Sequence, residues 1–215
     1  LRIGLKLKTK GKIVIYDAHE DLPRQILSKK YLNPILRNLI SSRTEKYENR
    51  VAKKLDAIVT ATPYIRDRFL KINPKTVDIN NFPILKELLI DFDYSEKTQN
   101  EFCYVGGITT VRGINELIES LTNVNAKLLL AGKFLESGLK RKIERNENWK
   151  KVEELGFLSR SEVKNVYKRS KFGIVTLHPI SNYYVSLPVK MFEYMAAGIP
   201  VVASKFPLWE SIITD

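Results

Sequence analysis

Residues 182–204 read N-Y-Y-V-S-L-P-V-K-M-F-E-Y-M-A-A-G-I-P-V-V-A-S, and the fold of the chain turns on this stretch. It opens as a polar loop. Pro188 sits where the first turn of a helix tolerates a missing N–H, and Ser186 is a candidate cap for that helix. Met191, Phe192, Met195 and Ala196 form an apolar stripe at helical spacing, and Gly198 stops the helix as a C′ glycine does. Pro200 blocks continuation, so Val201, Val202 and Ala203 read as a short buried strand. One acid interrupts this packing segment. Glu193 shares a helix face with Lys190 before it and Ala197 after it. Two readings are open: Glu193 pairs with Lys190 on a solvated face, or it offers two acceptor oxygens to vicinal hydroxyls such as those of a ribose. In the second, small Ala197 leaves the ligand room to approach.

Upstream, apolar runs alternate with helical patterns. Residues 12–16, 56–61 and 76–79 read as short strands, with helices over 22–55 and from Pro63 to about residue 71. Pro34 starts the longer basic helix, whose marked face is Ile35, Leu39, Ile40, Tyr47 and Val51. Residues 86–100 turn polar and lose periodicity, which reads as a linker, placed at 91–100 between domains at 1–90 and 101–215. Strands over 101–105, 126–131, 152–158 and 172–177 then alternate with helices over 114–121, 135–149 and 160–170, the last capped by Ser159 with Glu162 in its first turn. Strand–helix alternation of this kind indicates an α/β fold with parallel sheets.

Ligands in such sheets bind beyond the carboxyl ends of strands, which singles out two loops. Asp17-Ala18-His19-Glu20-Asp21 follows the first strand and makes His19 a candidate, against the plainer reading of a surface-loop histidine. Gly106 and Gly107 follow the strand at 101–105 and lead through Arg112 into a helix, a layout that can lay backbone N–H groups against a phosphate. Alone, a Gly-Gly before a helix is a common turn.

The 215 residues suffice for one large domain or two small ones, with an apolar fraction of 44% and a charged fraction of 28% typical of globular proteins. No apolar run approaches the roughly 20 residues needed to span a bilayer, and Leu1 onward shows no signal-peptide pattern. The first residue is Leu and the last residues lead toward a new helix, so a fragment missing both ends of a longer protein is expected. The single Cys103 excludes an internal disulfide and fits a reducing cytoplasm. A net charge of +12 calls for an anionic partner: nucleic acid, an acidic membrane surface or a phosphorylated substrate. The aromatics are mostly embedded in apolar runs rather than interleaved with basic residues, which argues against nucleic acid. No Cys pair, His pair at helical spacing or D-x-D in the second half suggests a metal.

The string F-E-Y-M-A-A-G-I-P-V-V-A-S resembles the donor-site segment of the retaining GT-B glycosyltransferases, the "group 1" family (glycosyltransferase family four). The resemblance runs from His19 to the last residue in the family's motif order. It implies a GT-B-like fold of two Rossmann-like parallel-sheet domains facing a cleft, both incomplete here: an acceptor-side domain at 1–90 and a nucleotide-sugar donor domain at 101–215. It implies transfer of a sugar, with retention, from a nucleotide-diphosphate donor to a glycan or lipid-linked acceptor, without metal or cofactor. Glu193 would bind the ribose, Arg112 and Lys190 the diphosphate with help from Gly106 and Gly107, Ser186 the donor, and the backbone at Gly156 the base. His19 would lie at the reaction centre.

Two departures from the family pattern stand out. The family's second glutamate, eight residues before Glu193, is Val185 here, and its first basic residue in the glycine loop is Gly107. The cytoplasmic basic helix at 22–55 packs on a core with a solvated basic side or, more sharply, meets an anionic membrane peripherally. Alternatives to transfer are a GT-B-fold nucleotide-sugar epimerase and a non-enzymatic nucleic-acid or anion-binding module.

Overall fold

Short β-branched and aliphatic runs set the two sheets. The computed structural model describes residues 1–29, 31–90 and 100–213. Their contacts divide into two units, residues 1–81 with 179–187, and residues 82–178 with 188–215. The linker expected at 91–100 lies, but for Asn100, outside the described residues.

The first unit begins with α1 (Arg2–Thr9) and a three-stranded parallel sheet in the order β1-β2-β3, made of Ile15–Ala18, Ala57–Thr60 and Thr76–Asp78. The expected first strand at 12–16 is displaced toward the C-terminus. The Asp56 carboxylate accepts the Val14 N–H at 2.8 Å, so the ladder begins only at Ile15↔Ala57. Helices α2 (Leu22–Leu27), α3 (Pro34–Ala52) and α4 (Pro63–Leu70) connect the strands. Asn33 caps α3 ahead of Pro34, and Thr62 caps α4 ahead of Pro63.

The face expected to seat α3 does so only at its C-terminal end, at Val51. Ile35, Leu39 and Tyr47 are exposed, while Ser41, Glu48, Val51 and Ala52 are buried. The reason is electrostatic: Glu48 accepts from Tyr16 Oη at 2.8 Å and from Arg68, which also reaches Asp21 at 3.0 Å. A buried carboxylate held by an arginine and a tyrosine turns this helix onto its polar side.

The second unit opens with α5 (Leu85–Leu88) and holds a five-stranded parallel sheet ordered β6-β5-β4-β7-β8. The strands are β4 (Glu101–Val105), β5 (Lys127–Ala131), β6 (Val152–Gly156), β7 (Gly173–Val175) and β8 (Val201–Ala203). Between them run α6 (Ile114–Ser120), α7 (Leu139–Ile143) and α8 (Arg160–Arg169), then α9 (Ser181–Tyr184), which clusters with the first unit, α10 (Val189–Ala196) and, after β8, α11 (Pro207–Ile213). Near-continuous burial of Phe102, Cys103, Tyr104 and Leu128–Ala131 is what a sheet covered on both faces requires. The Ser159 cap forms as expected, and Glu162 bonds back to it to complete a capping box.

α10 is pinned through Tyr194. Its hydroxyl accepts the Val105 N–H at 3.1 Å and donates to Ile174 O at 3.4 Å, tying the helix to β4 and β7. The ring lies directly on Gly173, where a Cβ would fall 2.5 Å from its atoms. Gly198 ends the helix at φ 72° with both bonds of a Schellman motif, Gly198 N–H to Met195 O at 3.0 Å and Ile199 N–H to Tyr194 O at 3.1 Å.

Candidate active site

With Tyr194 fixed, its neighbours on α10 point in set directions. Lys190, one turn earlier, runs to the carboxyl end of β4. Its Nζ lies 4.0 Å from the Tyr104 ring centroid, is buried, and has no hydrogen-bond partner among the described residues. Burial and then the nearby Arg112 push its pKa down to about 7. An ammonium in this state is costly unless an anion completes it.

The glycine loop after β4 makes room for that ammonium. Gly106 has φ 142°, and its N–H donates to Ala131 O at 2.9 Å. This corrects one expectation: the Gly106 N–H closes the loop onto β5, so only Gly107 can offer a backbone donor of the expected Gly-Gly pair. Arg112 bends back over the loop, with Nη1 donating to Gly107 O at 3.2 Å, which also accepts from Tyr104 Oη at 2.8 Å. Lys190, Arg112, Gly106 and Gly107 are thus brought together.

Glu193 sits one residue before the pinned tyrosine and faces α8. Its side chain is 13% exposed. Neither of the two sequence readings named its neighbours: Arg160 Nη1 donates to Oε1 and Tyr167 Oη donates to Oε2 at 3.3 Å. The ion pair with Lys190 does not form; Lys190 Nζ lies against the Tyr104 ring instead. Arg160 also lies 3.5 Å from Glu87 on α5. Burial and Glu193 raise the pKa of Tyr167, so its hydroxyl remains a donor.

Beyond β4, β5 and β6 lies a cavity of about 270 Å³, lined by Gly106, Gly107, Gly132, Lys133, Leu135 and Phe157, among others. Phe157 is 73% exposed and carries Lys133 Nζ 4.6 Å from its ring centroid. Gly156, at φ 67°, precedes Phe157, and its carbonyl accepts the Gly132 N–H at 2.7 Å. Phe157 did not stand out in the sequence. An exposed aromatic just past a strand end was the available signal.

The remaining predicted residues lie in the first unit. His19 follows β1, 61% exposed, with Nε2 2.9 Å from Asp17 Oδ2. Ser186 does not cap α10. Its hydroxyl donates back to Tyr183 O at 3.1 Å, and the N-cap position is Pro188, which has no side-chain donor or acceptor. Among the described residues, no group of three or more His, Cys, Asp or Glu is placed to hold a metal ion.

The family model for glycosyl transferases group 1 matches residues 88–215, more than half of the chain. The chain belongs to the glycosyl transferases group 1 family. No curated protein matches this group 1 sequence. Among solved structures, Anabaena HepE in complex with UDP superposes with a TM-score of 0.63 at 19% identity, over 94% of this chain and 56% of that one. Sucrose-phosphate synthase from Thermosynechococcus elongatus gives 0.62 at 17% identity, over 89% and 50%. WaaG, a glycosyltransferase involved in lipopolysaccharide biosynthesis, gives 0.55 at 12% identity, over 74% and 46%. These likenesses establish a partial GT-B fold. The group 1 chain spans about half the length of these structures.

Proposed function

We propose that the protein transfers a sugar, with retention of configuration, from a nucleotide-diphosphate donor to an acceptor, with its acceptor-side domain at 1–90, a linker at 91–100 and its donor domain at 101–215. The observation that carries this reading is the buried Lys190 ammonium, partnerless among the described residues, beside Arg112 at the glycine loop. Two fixed positive groups at a strand end suit a departing diphosphate and need no metal. Glu193 accepts from the ribose hydroxyls, the cavity beside Phe157 takes the base, and His19 acts at the reacting sugar. A relative in fold, HepE, has been solved with UDP and with UDP-glucose, which supports a nucleotide-sugar donor.

The deciding experiment incubates the protein with UDP-, GDP- and ADP-sugars and acceptors, and identifies products by mass spectrometry. A new glycoside in the donor's anomeric configuration supports transfer. Conversion of the nucleotide-sugar without acceptor would instead mark an epimerase. His19→Ala should lower kcat and leave nucleotide affinity unchanged; a lost affinity would place His19 elsewhere.

On the acceptor side, the reading includes peripheral contact with an anionic membrane. The exposed face of α3 carries Ile35 (81% exposed), Leu36 and Leu39, then Arg43, Lys46 and Arg50. Glu45 and Glu48 are taken up by Arg24 and Arg68, which leaves that face aliphatic and cationic. No helix among the described residues is long and apolar enough to cross a membrane. Co-sedimentation with phosphatidylcholine–phosphatidylglycerol vesicles, lost in Arg43→Glu/Lys46→Glu/Arg50→Glu, is the expected result; equal binding by that variant would refute it.

A further inference from the structure

The carboxylate of Glu193 is held on both sides. Arg160, the first residue of α8, donates from Nη1 to Oε1, and Tyr167, two turns along the same helix face, donates to Oε2 at 3.3 Å. Arg160 is itself held at its other edge, with Nε 3.5 Å from Glu87 Oε2 on α5. The helix carrying both donors is fixed at its two ends. Its start is closed by the Ser159 capping box, and at its last residue Arg169 grips buried Glu101 through Nε at 3.0 Å and Nη2 at 2.8 Å.

An ionised carboxylate has about four acceptor sites, two on each oxygen. Arg160 and Tyr167 occupy one on each. What remains is one acceptor site per oxygen, which matches the two hydroxyls of a vicinal diol. Both donors are also permanent ones: the guanidinium stays charged and the buried phenol stays protonated. Glu193 is therefore held in one orientation.

We propose that Arg160, braced by Glu87 and assisted by Tyr167, is a positioning residue that aims the free acceptor sites of Glu193 at the ribose diol of the donor. This inference rests on the reading of Glu193 as the ribose ligand. It assigns Arg160 no contact with the nucleotide. A plain surface ion pair would affect only stability, whereas a positioning pair affects discrimination between nucleotides with and without the diol.

The test measures dissociation constants for UDP, GDP and ADP, each beside its 2′,3′-dideoxy counterpart. The proteins are the unmodified chain, Glu193→Gln, Arg160→Met, Arg160→Lys and Glu87→Gln, with melting curves recorded for each. In the unmodified chain the diol form should bind about ten- to a hundredfold more tightly than the dideoxy form, the worth of a charge-assisted hydrogen bond. Glu193→Gln and Arg160→Met should both erase most of that preference while the dideoxy affinity stays put. Arg160→Lys should restore part of it, and Glu87→Gln, which leaves Arg160 in place, should weaken it partially. If Glu193→Gln erases the preference and neither Arg160→Met nor Glu87→Gln alters it, Arg160 is a surface pair and the inference fails alone. If Glu193→Gln leaves the preference intact, or no nucleotide binds, the ribose reading fails and the inference with it.

Discussion

A Cβ on Gly106 would fall 2.9 Å from Lys190 Nζ, so the bare backbone of one residue makes the berth for the ammonium of the other. The φ of 142° at Gly106 is also one that side chains rarely adopt. Gly106→Ala should push Lys190 aside and strain the loop together. Nucleotide-diphosphate affinity should drop at least about tenfold and stability by about 1 kcal/mol or more. Calorimetry and thermal melting on the same sample check both; an unchanged affinity would show that Lys190 does not act from this position.

Proton linkage offers a second handle on the same lysine. Its pKa in the folded state is down to about 7, against 10.5 for an ordinary lysine. A diphosphate beside Nζ favours the charged form, so binding above neutral pH should take up a proton and weaken as pH rises. Without ligand the sign reverses. Between about pH 7 and the ordinary lysine range the unfolded chain binds more protons, so this group makes stability rise with pH across that window. Binding heats in buffers of different ionisation enthalpy read the uptake directly, and buffer-independent heats would contradict it.

Lys190→Met separates cost from use. The variant removes a buried charge that lacks a partner among the described residues and keeps the bulk under Tyr104. Melting temperature should rise or hold, while nucleotide-diphosphate binding is lost. A fall in melting temperature with binding retained would make Lys190 a structural residue.

Arg112→Ala should lower kcat/KM by about a hundredfold or more, the scale of one preorganised donor. Gly107→Arg should return part of that. A Cβ at Gly107 would meet Leu135 Cδ1 at 2.8 Å, but this is the end of a flexible side chain 63% exposed, which can swing out. Full turnover by Arg112→Ala with every donor would move the diphosphate site elsewhere.

Glu193→Ala should affect two properties. Nucleotide affinity should fall by about ten- to a hundredfold from the lost charge-assisted bonds. Stability should also fall, by about 1–3 kcal/mol, since the buried Tyr167 hydroxyl loses its acceptor. Melting and binding measured side by side test this; a stability loss with affinity intact would leave Glu193 as an anchor for α8 only.

Local chemistry was the legible part. The Gly198 stop of α10, the Ser159 cap of α8 and the helix starts at Pro34 and Pro63 depend on residues a few positions apart, and each formed as read. Alternation of strand and helix signals carried the parallel sheets. Contacts across the sequence were not legible. Arg160 meets Glu193 at a separation of 33 residues, and no local pattern announces it. The seating of α3 was legible only at Val51 for the same reason: Arg68 and Tyr16, drawn from other elements, grip Glu48, and Ile35, Leu39 and Tyr47 stay exposed. The Gly106 N–H was misplaced because a glycine pair before a helix does not say which donor the neighbouring strand has already taken.

The contact between Gly132 and Gly106 bears on how this protein can change over time. A Cβ at Gly132 would lie 1.8 Å from Gly106 O, so the two loop backbones touch with nothing between them. The shape of the glycine loop is thus fixed by main chain, and side chains around it can be exchanged without reshaping it. Position 107 can take a charged residue while the loop persists. Positions 106 and 132 have no such freedom, and lineages that vary at either would have to rebuild the ends of two strands together.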